Sequence, residues 1–310
     1  MPTHLQPAGH LPMLYQALAV LSTAIYFSGL AHFKLAAARM PPLSGTRTWS
    51  LAATLLTSRT WITGAALLGV GAAVQTAALT GLSLVEALPM FLAGLGVLLI
   101  LAVPVLGERL TPREWGCALL LAAATVLFVH ASTGLHGPSD PGTPAPPLVV
   151  AVALPSLLVP CIAFMAGDRA RKGVHARPLT GVALAVNVGL LTGTAELMLR
   201  GASGQGTSPA ALLGTPYPYV FAVTALPAMG QLQIALQRSR LVIVGLVATA
   251  TAKTYLLVVA TSLYGEPWPD GRGQTASALG LTILAIAAVP HHEPRYRPAP
   301  ARLHREPTVR

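Results

Sequence analysis

Runs of uninterrupted apolar residues dominate the chain. Each is about as long as a bilayer-spanning helix, roughly 17–25 residues. They fall near 13–35, 60–80, 83–105, 114–131, 148–167, 179–199, 218–236, 241–263 and 274–290. The runs are continuous rather than alternating, so helices are predicted. An open sheet would leave backbone groups unpaired in hydrocarbon. The expected fold is therefore all-α, a polytopic membrane protein of about nine transmembrane helices. The stretch 46–58 is too short to span and is expected as an interfacial helix, with a re-entrant or tenth helix as the alternative.

A second pattern is laid over the first. An offset of 158 positions carries Gln75 onto Gln233, Ala77 onto Ala235, Leu88 onto Leu246 and Leu98-Leu99 onto Leu256-Leu257. The same offset carries Gly107-Glu108 onto Gly265-Glu266, with no gap between Gln75 and Glu108. The polar matches carry the weight, because Ala/Leu helices align easily by chance. The mates are five spans apart, an odd number, so the copies are expected to run in opposite directions, as in inverted-repeat transporters. The predicted organisation is a first half over 1–131 (helices one to four), an external Pro/Gly linker at 132–147, a second half over 148–290 (helices five to nine) and a basic, disordered cytoplasmic tail at 291–310.

Composition agrees with a lipid solvent. Of 310 residues 53% are hydrophobic and 10% charged, against about a quarter charged in a soluble domain. Formal net charge is +10. Lys34, Arg39, Arg47 and Arg59 follow the first span, Arg109 and Arg113 the third, and Arg169, Arg171, Lys172 and Arg177 the fifth. Arg238 and Arg240 follow the seventh, and the tail carries five more arginines, while the opposite loops hold only Arg200 and Arg272. The positive-inside rule then predicts an external N-terminus and a cytoplasmic C-terminus. No basic segment precedes the first span, so no cleaved signal peptide is expected. Arginine far outnumbers lysine and Ala, Gly and Pro abound, which suggests a GC-rich bacterium and its plasma membrane. No basic stripe alternates with aromatics, so nucleic acid is not an expected partner. The expected partners are membrane lipid and a small-molecule or ion substrate, and a homodimer is a compatible assembly.

Candidate chemistry is sparse. Cys117 and Cys161 have no metal or disulfide spacing, and His291-His292 belongs to the tail, so no metal site and no cofactor is expected. Lys253 stands twelve positions into its span, about 18 Å deep at 1.5 Å per residue. A lysine there costs roughly 2.5–3.5 kcal/mol, and such residues normally face a cavity or a partner. Glu86 has no opposite charge one turn away and is a second substrate or coupling-ion candidate, whereas Glu196 has Arg200 four residues on. Gln75, Gln233 and Asn187 either coordinate substrate or bond between helices. Gly107, Glu108, Gly265 and Glu266 are expected as structural turns or gates, and Pro89 as a kink beside Glu86. Ala65, Gly69, Ala73 and Ala77 form a small-residue stripe expected to pack.

The phrase Val103-Pro104-Val105-Leu106-Gly107-Glu108-Arg109-Leu110-Thr111-Pro112, with its echo at Leu263-Tyr264-Gly265-Glu266, resembles the drug/metabolite transporter superfamily of the EamA-like type. There a Gly-Glu turn joins the last two helices of each half. Trp61, Gly64, Gly116-Cys117 and Val129-His130-Ala131 add a similarity to the NIPA-type magnesium-transporter branch, which is also drawn with nine helices. The resemblance implies secondary transport by alternating access between two halves. Lys253 suits an anionic or zwitterionic metabolite, and a NIPA-like divalent-cation transporter is the alternative. Magnesium prefers oxygen ligands to a fixed cation. A non-transporting membrane scaffold or sensor is the alternative of another class. HExxH, GxSxG and GxxxxGK[ST] are absent from the sequence, which argues against an intramembrane enzyme and for a gradient as the energy source.

Overall fold

The computed structural model describes residues 10–43, 48–82, 84–131, 144–169, 180–204, 209–265 and 271–288. The described residues are helical, with no strand among them. The helices are α1 (His10–Arg39), α2 (Thr48–Thr57), α3 (Arg59–Leu79), α4 (Leu84–Ala93), α5 (Leu95–Ile100), α6 (Pro112–Ala131), α7 (Pro146–Arg169), α8 (Gly181–Ser203), α9 (Pro209–Leu213), α10 (Tyr217–Arg238), α11 (Leu241–Tyr264) and α12 (Arg272–Ala288). Among the described residues eight spans are long and apolar enough to cross a membrane. The protein is a multi-pass membrane protein. The ninth expected span is α12, a helix of 17 described residues. Residues 289–290 of that expectation, the linker at 132–143, Glu266 and the tail at 291–310 lie outside the described residues. The stretch 46–58 forms the ten-residue α2, too short to span.

The third span is broken where one helix was predicted. It runs as α4, a break at Gly94, α5 and a π-helical turn over Leu101–Val105. Pro89 has no N–H to donate within α4. The break itself falls at Gly94, where Thr23 of α1 crosses so closely that a methyl on Gly94 would lie 1.8 Å from Thr23 Cγ2. Pro104 has no N–H to donate to the preceding turn, and Leu106 donates to Leu101 O at 3.1 Å, five residues back. Glu108 N then reaches Ala102 O at 3.0 Å across Gly107, whose φ is +69°. This is a left-handed helix cap that a Cβ would disfavour. Gly265 closes α11 in the same way, with φ +64°.

The repeat offset is visible in the element boundaries. Shifted by 158, α3 falls on 217–237, and α10 occupies 217–238. Residues 84–105 fall on 242–263, inside α11. Residues 112–131 fall on 270–289, and α12 covers 272–288 of these. Pairing follows the same scheme: α1 packs on α3 as α8 packs on α10, and α6 packs on α12.

Close crossings need small residues. A methyl on Gly64 of α3 would sit 2.7 Å from Phe33 Cδ1 and 3.0 Å from Gly29 O of α1. On α8, Gly189 and Gly193 let α11 approach until added methyls would meet Ala248 O at 2.7 Å and Ala252 O at 3.0 Å. That is a Gly-x-x-x-Gly contact. The stripe Ala65, Gly69, Ala73, Ala77 is not the packing face of α3. Gly69, Ala73 and Ala77 are exposed, while Trp61, Gly64, Gly71 and Gln75 turn inward. The most apolar stretch of α11 is 72% buried and that of α8 67%, against 22% for α7. The centre of the bundle is therefore the α8–α11 pair, and α7 lies at the periphery. Exposed Ile62, Leu119, Val159 and Leu226 give the outer surface its apolar character, as lipid requires.

Candidate functional site

Four largely apolar helices, α1, α3, α8 and α11, bring polar groups to one place. Lys253, mid-way along α11 and 6% exposed, donates from Nζ to Glu196 Oε2 on α8. The Gly189/Gly193 crossing brings the two helices close enough for that bond. Glu196 is thus an inter-helix partner of Lys253, where helical spacing pointed only to Arg200. Arg200 is buried at the end of α8 and donates from Nη1 to Leu79 O at 2.7 Å, capping α3.

The ion pair lines a cavity of about 20 Å³ with Ser22, Thr23, Tyr26, Gln75 and Thr249. That volume holds a water and no larger solute. Ser22 and Thr23 spend their hydroxyl protons on Ala19 O, at 2.7 and 2.9 Å, and Thr192 spends its own on Val188 O at 2.8 Å. All three residues line the cavity, and their oxygens keep lone pairs that can accept. Gln75 is 9% exposed, and its amide Nε2 is buried with no hydrogen-bond partner among the described residues. An unmatched donor costs roughly 1–3 kcal/mol at an interior position. Tyr26, Gln75, Thr192 and Glu196 also border a larger chamber of about 180 Å³ between α1, α3, α8 and α10. Its remaining walls are apolar, with Leu68, Phe221, Met229 and Leu232 among them. On its other side Lys253 touches a small cavity toward α4, α6 and α12.

The other candidates are placed elsewhere. Gln233, the repeat mate of Gln75, is fully buried and donates to Phe33 O at 3.2 Å, tying α10 to α1. Asn187 donates to Pro160 O and to Gln231 Oε1, both at 3.2 Å, and links α7, α8 and α10. Both make inter-helix bonds. Glu86 stands half-buried in the first turn of α4 and is not among the residues bordering the cavity. Pro89 is buried three residues further on.

The Gly-Glu turn has a definite job in its first copy. Glu108 accepts from Leu241 N at 2.7 Å and Val242 N at 3.0 Å, so its carboxylate caps the start of α11. Glu114 accepts from Thr111 N at 2.6 Å while Thr111 Oγ1 accepts from Glu114 N at 3.4 Å, a reciprocal cap with Pro112 at the first helical position. Arg240 binds Glu114 and Arg109 O. Beside them Lys34 Nζ caps α10 through Leu236 O at 2.8 Å and Ser239 O at 2.7 Å. At this end of the bundle α1, α6, α10 and α11 are therefore locked by charge-assisted bonds.

Sequence reasoning missed Glu196 as the partner of Lys253, because helical spacing offered Arg200 first. It also missed Glu114 and the glycine pair of α8. Two signals were present: Thr111-Pro112-Arg113-Glu114 is a capping box, and Gly189-Leu190-Leu191-Thr192-Gly193 is a close-packing motif. No family model, curated protein or solved structure matches the chain.

Proposed function

We propose that this multi-pass membrane protein is a secondary transporter of the drug/metabolite type, in which two inverted helix bundles alternate access to a site at Lys253, Glu196 and Gln75. The observation that carries the reading is the buried Lys253–Glu196 pair beside the unpartnered Gln75 amide. Gln75 belongs to the first copy of the repeat and Lys253 to the second. Ionisable groups at such depth are costly and usually mark a solute or ion path. A site between repeats is where a rocking mechanism needs it.

Two sets of contacts support the inverted sense. Phe33 of α1 stacks on Trp61 near the start of α3 at 5.4 Å and receives the bond from Gln233 near the end of α10. At the other end Arg200 bonds Leu79 at the end of α3, while Gly201 abuts Tyr217 at the start of α10. The mates α3 and α10 thus run in opposite directions. The loop charges favour the Lys34–Glu108–Arg240 end as cytoplasmic, in a bacterial plasma membrane.

The NIPA-like alternative is less favoured. Glu196 neutralises Lys253, but the pair then leaves no net negative charge to draw a hydrated divalent cation. The test is counterflow of a labelled solute pool in vesicles containing the full chain. Saturable exchange that disappears in Lys253→Met, with the variant shown folded by its melting transition, supports the reading. Equal exchange in the variant and the parent overturns it.

A further inference from the structure

The geometry points to a zwitterionic solute with an apolar arm, its anionic and ammonium poles at the Lys253–Glu196 pair and its arm in the α3–α10 chamber. This inference rests on the transport reading above.

Charge balance is the first ground. Lys253 and Glu196 sum to zero in a buried setting. A solute of net charge adds an uncompensated ion to a medium that penalises it heavily. A zwitterion separates the two partners and gives each a new counter-charge, so the site stays neutral whether empty or filled.

Hydrogen-bond polarity is the second. Lys253 Nζ and Gln75 Nε2 are donors, and the Gln75 donor is buried without a partner. A carboxylate supplies the missing acceptor. The cavity also holds acceptors: Glu196 and the hydroxyl oxygens of Ser22, Thr23 and Thr192, whose protons are already given to backbone carbonyls. An ammonium carries three donors and no acceptor, which matches them. The site thus offers both donors and acceptors; its cavity of about 20 Å³ has room for one water, so two small ionic groups enter only as Lys253 and Glu196 part.

Shape is the third. The polar cavity is small, but it shares Gln75 and Glu196 with the chamber of about 180 Å³. Leu68, Phe221, Met229 and Leu232 offer that chamber no hydrogen bond. A ligand filling both places a charged head beside an apolar body.

The test is calorimetric titration of the purified full chain in detergent. The probes are L-phenylalanine, 3-phenylpropionate (no ammonium), 2-phenylethylamine (no carboxylate), glycine (no arm) and magnesium chloride. L-Phenylalanine is expected to bind, and each truncated analogue to bind at least about tenfold more weakly. Gln75→Leu is expected to weaken L-phenylalanine by about tenfold without lowering the thermal midpoint of the empty protein. The neutral double variant Glu196→Gln/Lys253→Met, folded by its melting transition, is expected to lose binding. Lysophosphatidylethanolamine that binds in place of L-phenylalanine keeps the zwitterion and assigns the head to a lipid. The inference is overturned if a one-pole analogue binds as well as L-phenylalanine, if magnesium binds and no zwitterion does, if no probe binds, or if the double variant retains binding. Failure here with saturable counterflow of another solute leaves the transport reading standing. Binding of L-phenylalanine without any flux removes the transport reading and leaves a zwitterion-binding site.

Discussion

Buried Lys253 on α11 and partly buried Glu196 on α8 form an ion pair whose neighbours, Ser22, Thr23 and Gln75, come from the other copy of the repeat or its packing partner. Removing one charge strands the other. Lys253→Met is expected to destabilise the protein by about 3–5 kcal/mol, because Glu196 is left buried without a counter-ion. Glu196→Gln/Lys253→Met removes both charges and is expected to recover most of that loss. Equilibrium unfolding in mixed micelles for the two single variants and the double variant reads the coupling directly. Additive losses would show that the pair does not hold the helices together.

The repeat mates Gln75 and Gln233 separate function from packing. Among the described residues Gln75 Nε2 has no partner, whereas Gln233 Nε2 bonds Phe33 O and only its Oε1 is left without one. Gln75→Leu is therefore expected to leave stability unchanged or slightly raised, while solute exchange falls. Gln233→Leu is expected to cost up to about 1 kcal/mol, the usual worth of one such bond in a membrane bundle, and to spare exchange. Melting curves and counterflow on the same two variants test this; the reverse pattern refutes the assignment.

The two glycine caps make a prediction about symmetry. Gly107 and Gly265 have φ of +69° and +64°, and neither would place a Cβ within 4 Å of a neighbour. Alanine at either position meets conformational strain alone. Each substitution is expected to cost about 1 kcal/mol, and the two costs should agree within error. A much larger loss at one site would mean that the two caps are not equivalent.

How much of this was readable beforehand follows from the physics of each residue. Span lengths were readable because hydrocarbon thickness fixes them, and the offset of 158 anticipated the bounds of α3 and α10. Lys253 stood out because its cost is a property of one position. Glu196 did not, because its partner is 57 residues away on another helix, and no local pattern encodes such a pairing. The close crossing at Gly94 was hidden for the same reason: its partner is Thr23 on α1. Asn187 and Gln233 could not be sorted from Gln75 by sequence. All three are amides in apolar runs, and only the position of the opposing carbonyl decides whose N–H group is satisfied.

Glu108 connects the repeat's turn to the helix that carries Lys253. Its two carboxylate oxygens accept from Leu241 N and Val242 N, the first donors of α11, which no side chain of α11 itself satisfies. Glu108→Gln keeps one acceptor, loses the charge that complements the helix N-terminus, and is expected to cost about 1 kcal/mol. Glu108→Ala removes both acceptors and is expected to cost about 2 kcal/mol. Since α11 holds Lys253 twelve residues further on, fraying of its first turn should alter exchange less than stability. Hydrogen exchange at Leu241 and Val242 is the decisive measurement. Protection should fall at these two amides in Glu108→Ala and stay intact around Lys253. Equal loss along the whole helix would show that Glu108 supports the bundle globally rather than capping one end.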